Sequence, residues 1–194
     1  GLSLAAAVLR SGEPVRPNEM RHLAGMAGFR LPIESVALQA LVSEPIKPCM
    51  DCVVMANTVH GYMSQSDKGE MVIGGGTDGY INYAQRGSYQ HIEETVRALV
   101  ETFPMISRLK MLRQWAGIVD VTGDRSPILS KTPLDGCFIN CGWGTGGFKA
   151  IPGSGWGFAE LMAKGYSPLT EEFGLNRFRE GRFIDESVAA GVAH

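Results

Sequence analysis

Apolar and polar positions recur along this chain in runs that assign most of its elements. From Ser35 to Ile46, "SVALQALVSEPI" places its apolar side chains at loosely alternating positions and stops at Pro45, the pattern of a strand closed by a residue with no N–H to donate. "GYMSQSDKGEMVIGGG" reads as two short runs around Ser66, Asp67, Lys68 and Gly69, turn residues that predict an antiparallel hairpin with Tyr62 roughly opposite Val72. Between Tyr89 and Phe103 the spacing changes: Ile92, Val96, Leu99, Val100 and Phe103 recur at helical intervals, with Glu93, Glu94 and Arg97 on the other side and Pro104 as the stop. "MLRQWAGIVDV" predicts a further strand, and "SPILSKTPLDGCFIN" two more around an Asp135-Gly136 turn. After a glycine-rich loop, Trp156, Phe158, Leu161 and Met162 predict a helix whose first turn lies near Pro152 and Gly153. The sum is an α+β chain: a mainly antiparallel sheet, one crossing helix, and a C-terminal strand, glycine loop and helix. The first 26 residues fit this scheme poorly, since a helix over "LSLAAAVLRSG" is interrupted by "EPVRPN", and the start at Gly1 suggests a processed, truncated or engineered end.

Composition narrows the functional classes. With 194 residues and 44% apolar content the chain is an ordinary globular protein, and 18 basic against 20 acidic residues give no electrostatic case for nucleic acid or an anionic membrane. The apolar runs fall short of a membrane span, and the opening has neither a basic leader nor a clean cleavage site, so a cytoplasmic protein is expected. Four cysteines offer two pairs, "CMDC" at Cys49 and Cys52, and Cys137 with Cys141 around a predicted strand. The first pair has metal or redox spacing but lacks a second matching pair and follows "EPIKP" instead of a buried strand, so it reads as plain reduced thiols without metal. His60 and His91 carry no ligand spacing.

Candidate chemistry concentrates in "NCGWGTGGFKAIPGSGWGF". Gly142, Gly144 and Gly147 spell a dinucleotide fingerprint, yet no second parallel strand with an acidic end follows the helix, so the βαβ unit that gives the fingerprint meaning is not completed. "GGGTDG" from Gly74 to Gly79 lacks the Lys-Ser/Thr and helix of a phosphate loop. Lys149, at a helix start where positive charge is disfavoured, points to a waiting anion; the plainer alternative is a tight strand-to-helix turn with no ligand. Tyr62 is either a pocket residue or a core aromatic, and Arg177, Arg179 and Arg182 read as a solvated tail or a partner-facing strip.

The strings "MAGFRLPIES", "LQALVSEPIKP", "SQSDKGEMVIGGGTDGY", "INCGWGTGGFKAIPGSGWGFAELMA" and "GRFIDESVAAGVAH" resemble the flavin-dependent amine and amino-acid oxidases of the D-amino-acid oxidase and sarcosine oxidase group, and within it the heterotetrameric branch. The resemblance runs from about Met26 to the C-terminus; the upstream FAD-binding Rossmann half has no counterpart here. It implies three parts: residues 1–26 poorly matched, 27–135 a substrate-binding antiparallel domain, and 136–194 a flavin-facing glycine loop, helix and tail. It further implies that Gly144, Thr145, Gly146, Gly147, Phe148 and Lys149 cradle the isoalloxazine of FAD, where helix N–H groups stabilise charge on the reduced ring. Lys149 would pair with the carboxylate of sarcosine or a related N-methylated amino acid, and Tyr62 would line the substrate pocket. FMN, tetrahydrofolate and the other subunits are implied for the complete enzyme. The branch that activates oxygen carries a lysine and a histidine where this chain has Val72 and Gly76, and Gly123 stands where relatives tend to have proline, which predicts a looser loop. A chain without the Rossmann half also admits a non-catalytic role as a subunit scaffold that binds no flavin.

Overall fold

The computed structural model describes residues 19–56 and 61–184. The helix considered for the opening apolar stretch, His60 and the final ten residues lie outside them. In chain order the elements are α1 (Glu19–Met26), β1 (Ile33–Pro45), β2 (Val54–Ala56), β3 (Gly61–Gln65), β4 (Glu70–Thr77), α2 (Tyr89–Thr102), a 3₁₀ turn (Pro104–Arg108), β5 (Met111–Thr122), β6 (Ile128–Lys131), β7 (Phe138–Cys141), α3 (Gly147–Lys164) and α4 (Arg177–Glu180). One sheet has the order β2-β3-β4-β1-β5, with β2/β3, β3/β4 and β4/β1 antiparallel; β6 and β7 form a separate antiparallel pair. This is the α+β architecture that the hydrophobic pattern predicts. The compact units, however, do not follow divisions at residues 26 and 135. Residues 36–118 form one unit, while 19–35 and 119–184 form the other, so that β1 and β5 each carry the chain from one unit into the next.

In the unit of residues 36–118, Leu41, Met63, Met71 and Ile73 lie on one face of the sheet and are buried with Leu99 of α2 and Ile106. Each such side chain contributes about 1.5–3 kcal/mol by leaving water. α2 begins where the Ser88 hydroxyl accepts the N–H of His91 at 3.3 Å, and ends before Phe103 and Pro104. The hairpin register corrects the expected pairing: Tyr62 faces Gly74, and Val72 faces Ser64. The loop is Asp67, Lys68 and Gly69, with Gly69 at φ 97° and Ser66 bonded to Glu70, and this length sets Tyr62 two positions from Val72.

The other unit is built on Ala24, Leu31, Ile33, Ile128, Ile139 and Cys141, with Phe29, Leu175 and Phe178 packed against them. α3 starts at Gly147, five residues before Pro152, instead of near Pro152 and Gly153. Pro152 lies inside it, where its missing N–H leaves the Phe148 carbonyl without the usual helix bond. The C-terminal arginines also depart from expectation. Arg179 and Arg182 are exposed, Arg182 pairing with Glu180, but Arg177 is buried. Its Nε and Nη2 donate to Asp124 Oδ2 and Oδ1 at 2.7 and 3.0 Å, the two side chains being 2% and 1% exposed. The backbone N–H groups of Ser126 and Ile184 also donate to that carboxylate, and Arg177 lies over the Phe178 ring at 4.1 Å. The loop around Gly123 is therefore clamped instead of loosened.

Burial alone would raise the Asp124 carboxyl, but the bonds from Arg177 and Ile184 outweigh it and hold the group below the ordinary carboxylate range. Stability from this group is thus fully present above the unfolded-state value near pH 4 and is lost as pH falls through the lower folded-state value. Replacing Arg177 with Met strands a buried carboxylate and is expected to cost about 3–5 kcal/mol in denaturant unfolding at pH 7, with the loss shrinking at acid pH. An equal loss at pH 7 and at pH 3 would contradict the ion-pair account.

Candidate functional site

The loop after β7 is shaped by two residues with left-handed backbone. Gly142 has φ of 73° and Gly144 of 50°. A Cβ on Gly142 would lie 2.8 Å from Thr122 Cγ2, so both conformation and space require glycine. The N–H of Gly144 donates to the Asp120 carbonyl at 2.8 Å, and the Trp143 indole N–H donates to Asn140 Oδ1. These bonds fix the loop to β5 and β7 before α3 begins.

Gly146 is the N-cap of α3, with no side-chain cap and no acid in the first turn. Its own N–H donates to the Trp143 carbonyl at 3.0 Å and is therefore spent within the turn. Of the residues in the implied cradle, Gly146 therefore offers no free donor, and the N–H groups without a helical acceptor are those of Gly147, Phe148 and Lys149. Thr145 and Lys149 are exposed, and Phe148 is 87% exposed. The Lys149 stem folds back over the turn, its Cε 3.8 Å from where a Gly146 Cβ would stand. The chain thus sets three orphan donors and one ammonium at the same helix start, and their shared complement is an anion or a carbonyl-rich ring.

Beneath the loop lies a feature the sequence reading missed. Asp120 is buried, and its Oδ1 accepts the Ser35 hydroxyl at 2.7 Å. Burial pushes this carboxyl up, and the Ser35 bond only partly offsets it. Cys141 beside it is fully buried, and burial together with the Asp120 charge drives the thiol up to about 12, so it stays protonated. The only available signal was an acid in the apolar run "GIVDV".

Tyr62 belongs to the other compact unit. It alternates with the core residue Met63 on β3 and so faces away from α2, half-buried, its hydroxyl raised by desolvation. The ring lies across its partner Gly74, where a Cβ would come within 2.3–2.5 Å of it. Gly76, also on β4, has His91 as its neighbour; the His91 Nε2 lies 3.2 Å from the Gly75 carbonyl. A second missed cluster centres on Gln39, which donates to Asp78 at 2.7 Å and accepts from Ser88 N–H and Gln114, anchoring the loop that bears exposed Tyr80 and Tyr83. Among the described residues no group of three or more His, Cys, Asp or Glu is arranged to hold a metal, and no helix is long and apolar enough to cross a membrane.

α3 shows two unlike faces. Gly157 and Leu161 are buried, a Gly157 Cβ having only 3.1 Å to Leu169 and Thr170, and Phe158 meets Phe138 edge-on at 6.4 Å. On the opposite side Phe148, Ile151, Trp156 and Met162 are 87%, 59%, 73% and 49% exposed, an apolar stripe at helical spacing.

Comparison with known proteins gives a consistent answer. The sequence profile described as FAD dependent oxidoreductase matches residues 18–161. The chain is 83% identical over 172 residues to sarcosine oxidase subunit beta of Rhodobacter capsulatus, covering 89% of this chain and 42% of that protein. It is 52% identical to the protein of the same name from Arthrobacter sp, covering 89% and 43%. The chain therefore spans about two fifths of the length of these curated relatives. Among solved structures, L-proline dehydrogenase from P. horikoshii superposes with a TM-score of 0.74 at 28% identity, over 83% of this chain and 45% of that one.

Two glycine substitutions distinguish a shaped loop from a merely flexible one. Gly142→Ala is expected to cost about 1–3 kcal/mol through strain and the Thr122 contact. Gly153→Ala, in a helix interior with open space around it, is expected to stabilise by about 0.5–1 kcal/mol. Denaturant midpoints read both, and a neutral Gly142→Ala would show that the loop is not held as described.

Proposed function

The chain belongs to the FAD-dependent oxidoreductase family, and on that premise we propose that it supplies the substrate side and the ring-facing loop of a flavin amine oxidase acting on sarcosine or a related N-methylated amino acid. The observation that carries the reading is the uncapped start of α3, where the N–H groups of Gly147, Phe148 and Lys149 and the Lys149 ammonium have no partner among the described residues. These groups fit FAD: glycines keep the approach clear, no acid opposes negative charge, and backbone donors stabilise charge at the pyrimidine end of a reduced isoalloxazine. When bound, FAD supplies the acceptor for a hydride.

In this reading Lys149 pairs with the substrate carboxylate and thereby orients the N-methyl group. Sarcosine loses a hydride from that methyl carbon and a proton from nitrogen, giving an imine; water then releases glycine and formaldehyde, or tetrahydrofolate takes the one-carbon unit as its methylene derivative. Tyr62 is the proposed substrate-facing residue of its own unit, its ring lying across Gly74 on the sheet face away from α2. The name subunit beta on the two relatives above supports partner subunits. FMN as a second flavin of the assembly is part of the proposal. The apolar stripe of Phe148, Ile151 and Trp156 is the surface against which the remainder of a full-length protein packs. A scaffold that binds no flavin would have no use for the loop's shape, and a colourless protein that FAD cannot reconstitute would favour it.

The reading is tested in the complete enzyme. Lys149→Met is expected to weaken binding of an N-methylated amino acid about ten- to a hundredfold, the worth of one charge-assisted bond, while the flavin absorption bands stay in place. Unchanged affinity removes Lys149 from the site. Trp156→Glu is expected to release FAD from the complete enzyme while leaving the unfolding midpoint of this chain unchanged, since the side chain is 73% exposed; retained FAD would place the stripe outside any interface.

A further inference from the structure

The CxxC segment takes no part in the site above, and its geometry is specific. Cys49 and Cys52 are both free and exposed. The first is tied to the end of β3 by a single side chain: Gln65 Oε1 accepts the backbone N–H groups of Cys49 and Met50 at 2.7 and 3.1 Å. Gln65 Nε2 in turn lies within bonding distance of the carbonyls of Ile46, Lys47 and Gly69, at 3.3, 3.1 and 3.0 Å. After Cys49 the chain bends at Asp51 and Cys52 and enters β2, where Val54 faces Met63 of β3. Cys52 lies in that bend, two residues before β2 begins. The two cysteines therefore stand at the feet of one short arc, the Cys49 foot being tied to Gln65.

Three properties follow. The two cysteines are only three positions apart in sequence and both are exposed outside the core, so a bridge between them requires no repacking of it. They are also the accessible thiols of the four: Cys137 is half-buried, and Cys141 is fully buried with its proton retained. A bridge between them would close so small a loop that it would constrain the unfolded chain little and remain easy to reduce. Two sulfurs alone do not complete a tetrahedral metal site, and no third ligand joins them among the described residues.

We propose that Cys49 and Cys52 are a thiol–disulfide exchange pair, oxidised to an intramolecular disulfide by small disulfides of the glutathione class and reduced again by dithiols. One cysteine thiolate attacks a sulfur of the external disulfide, expelling one thiolate and leaving a mixed disulfide. The second cysteine thiolate then attacks the protein sulfur and expels the other. Two protein thiols become one S–S bond, the external disulfide becomes two thiols, and the two cysteine protons leave with them. The proposal does not depend on the flavin reading.

The test is equilibration of the full chain in buffers of oxidised and reduced glutathione, followed by alkylation and peptide mass mapping. The expected product is a peptide containing Cys49 and Cys52 that has lost two hydrogens and carries no glutathione, while Cys137 and Cys141 remain alkylatable after unfolding. Cys49→Ser should leave Cys52 with a stable glutathione adduct. Gln65→Ala, which frees one foot of the arc, should raise the adduct share of the Cys49–Cys52 peptide about tenfold as the effective concentration of the second thiol falls. Stable glutathione adducts on both cysteines of the unaltered chain would overturn the proposal. So would near-stoichiometric zinc that protects both from alkylation and leaves when both become serine.

Discussion

The carboxylate of Asp124 is the point on which the unit of residues 19–35 and 119–184 depends. It is nearly inaccessible, and it accepts from the Arg177 guanidinium and from the backbone of Ser126 and Ile184. One side chain thereby determines the turn between β5 and β6, the seat of α4 and the path of the chain beyond it. A buried ion pair rarely adds net stability over an apolar replacement, because desolvation consumes the attraction. Its effect here is geometric: a carboxylate with its directions filled admits one arrangement of the three segments. β5, carrying Asp120 and Thr122, is held beneath the glycine loop as a result.

How much of this was legible in the sequence depended on whether the cause was local. The strand ending at Pro45, the helix from Tyr89 and the hairpin at Asp135-Gly136 declare themselves through periodicity and turn chemistry, which act over a few residues. The register of β3 against β4 did not, because the length of the loop at Asp67, Lys68 and Gly69 moves every pair by two while leaving each side chain on its proper face. The start of α3 was misplaced because proline favours first turns, whereas here the helix begins at Gly147 and carries Pro152 inside it with one bond missing. Long-range polar pairs were invisible. Nothing near Arg177 in sequence marks it as different from Arg179 and Arg182; its partner lies 53 residues away.

The candidate site was legible in its residues and less so in its geometry. The resemblance pointed to Gly144 to Lys149, but the sequence did not show that the Gly146 N–H is spent inside the turn while those of Gly147, Phe148 and Lys149 lack a helical acceptor. Asp120 shows what no motif reports, a buried acid whose main-chain carbonyl and side chain serve different neighbours, Gly144 and Ser35. Such a residue escapes pattern reading because its importance lies in position.

The division into units has a consequence for synthesis. Residues 36–118 are continuous and leave the ribosome as a complete set of strands with their helix, able to bury Met63, Ile73 and Leu99 as soon as they emerge. The other unit is interrupted: Leu31 and Ile33 are made first but find Ile128 and Ile139 only after about a hundred further residues have been added. Until then an apolar stretch waits without its partners, and contacts this distant in sequence form slowly. The contacts of the nested unit are thus available to the nascent chain before the long-range contacts of the enclosing one.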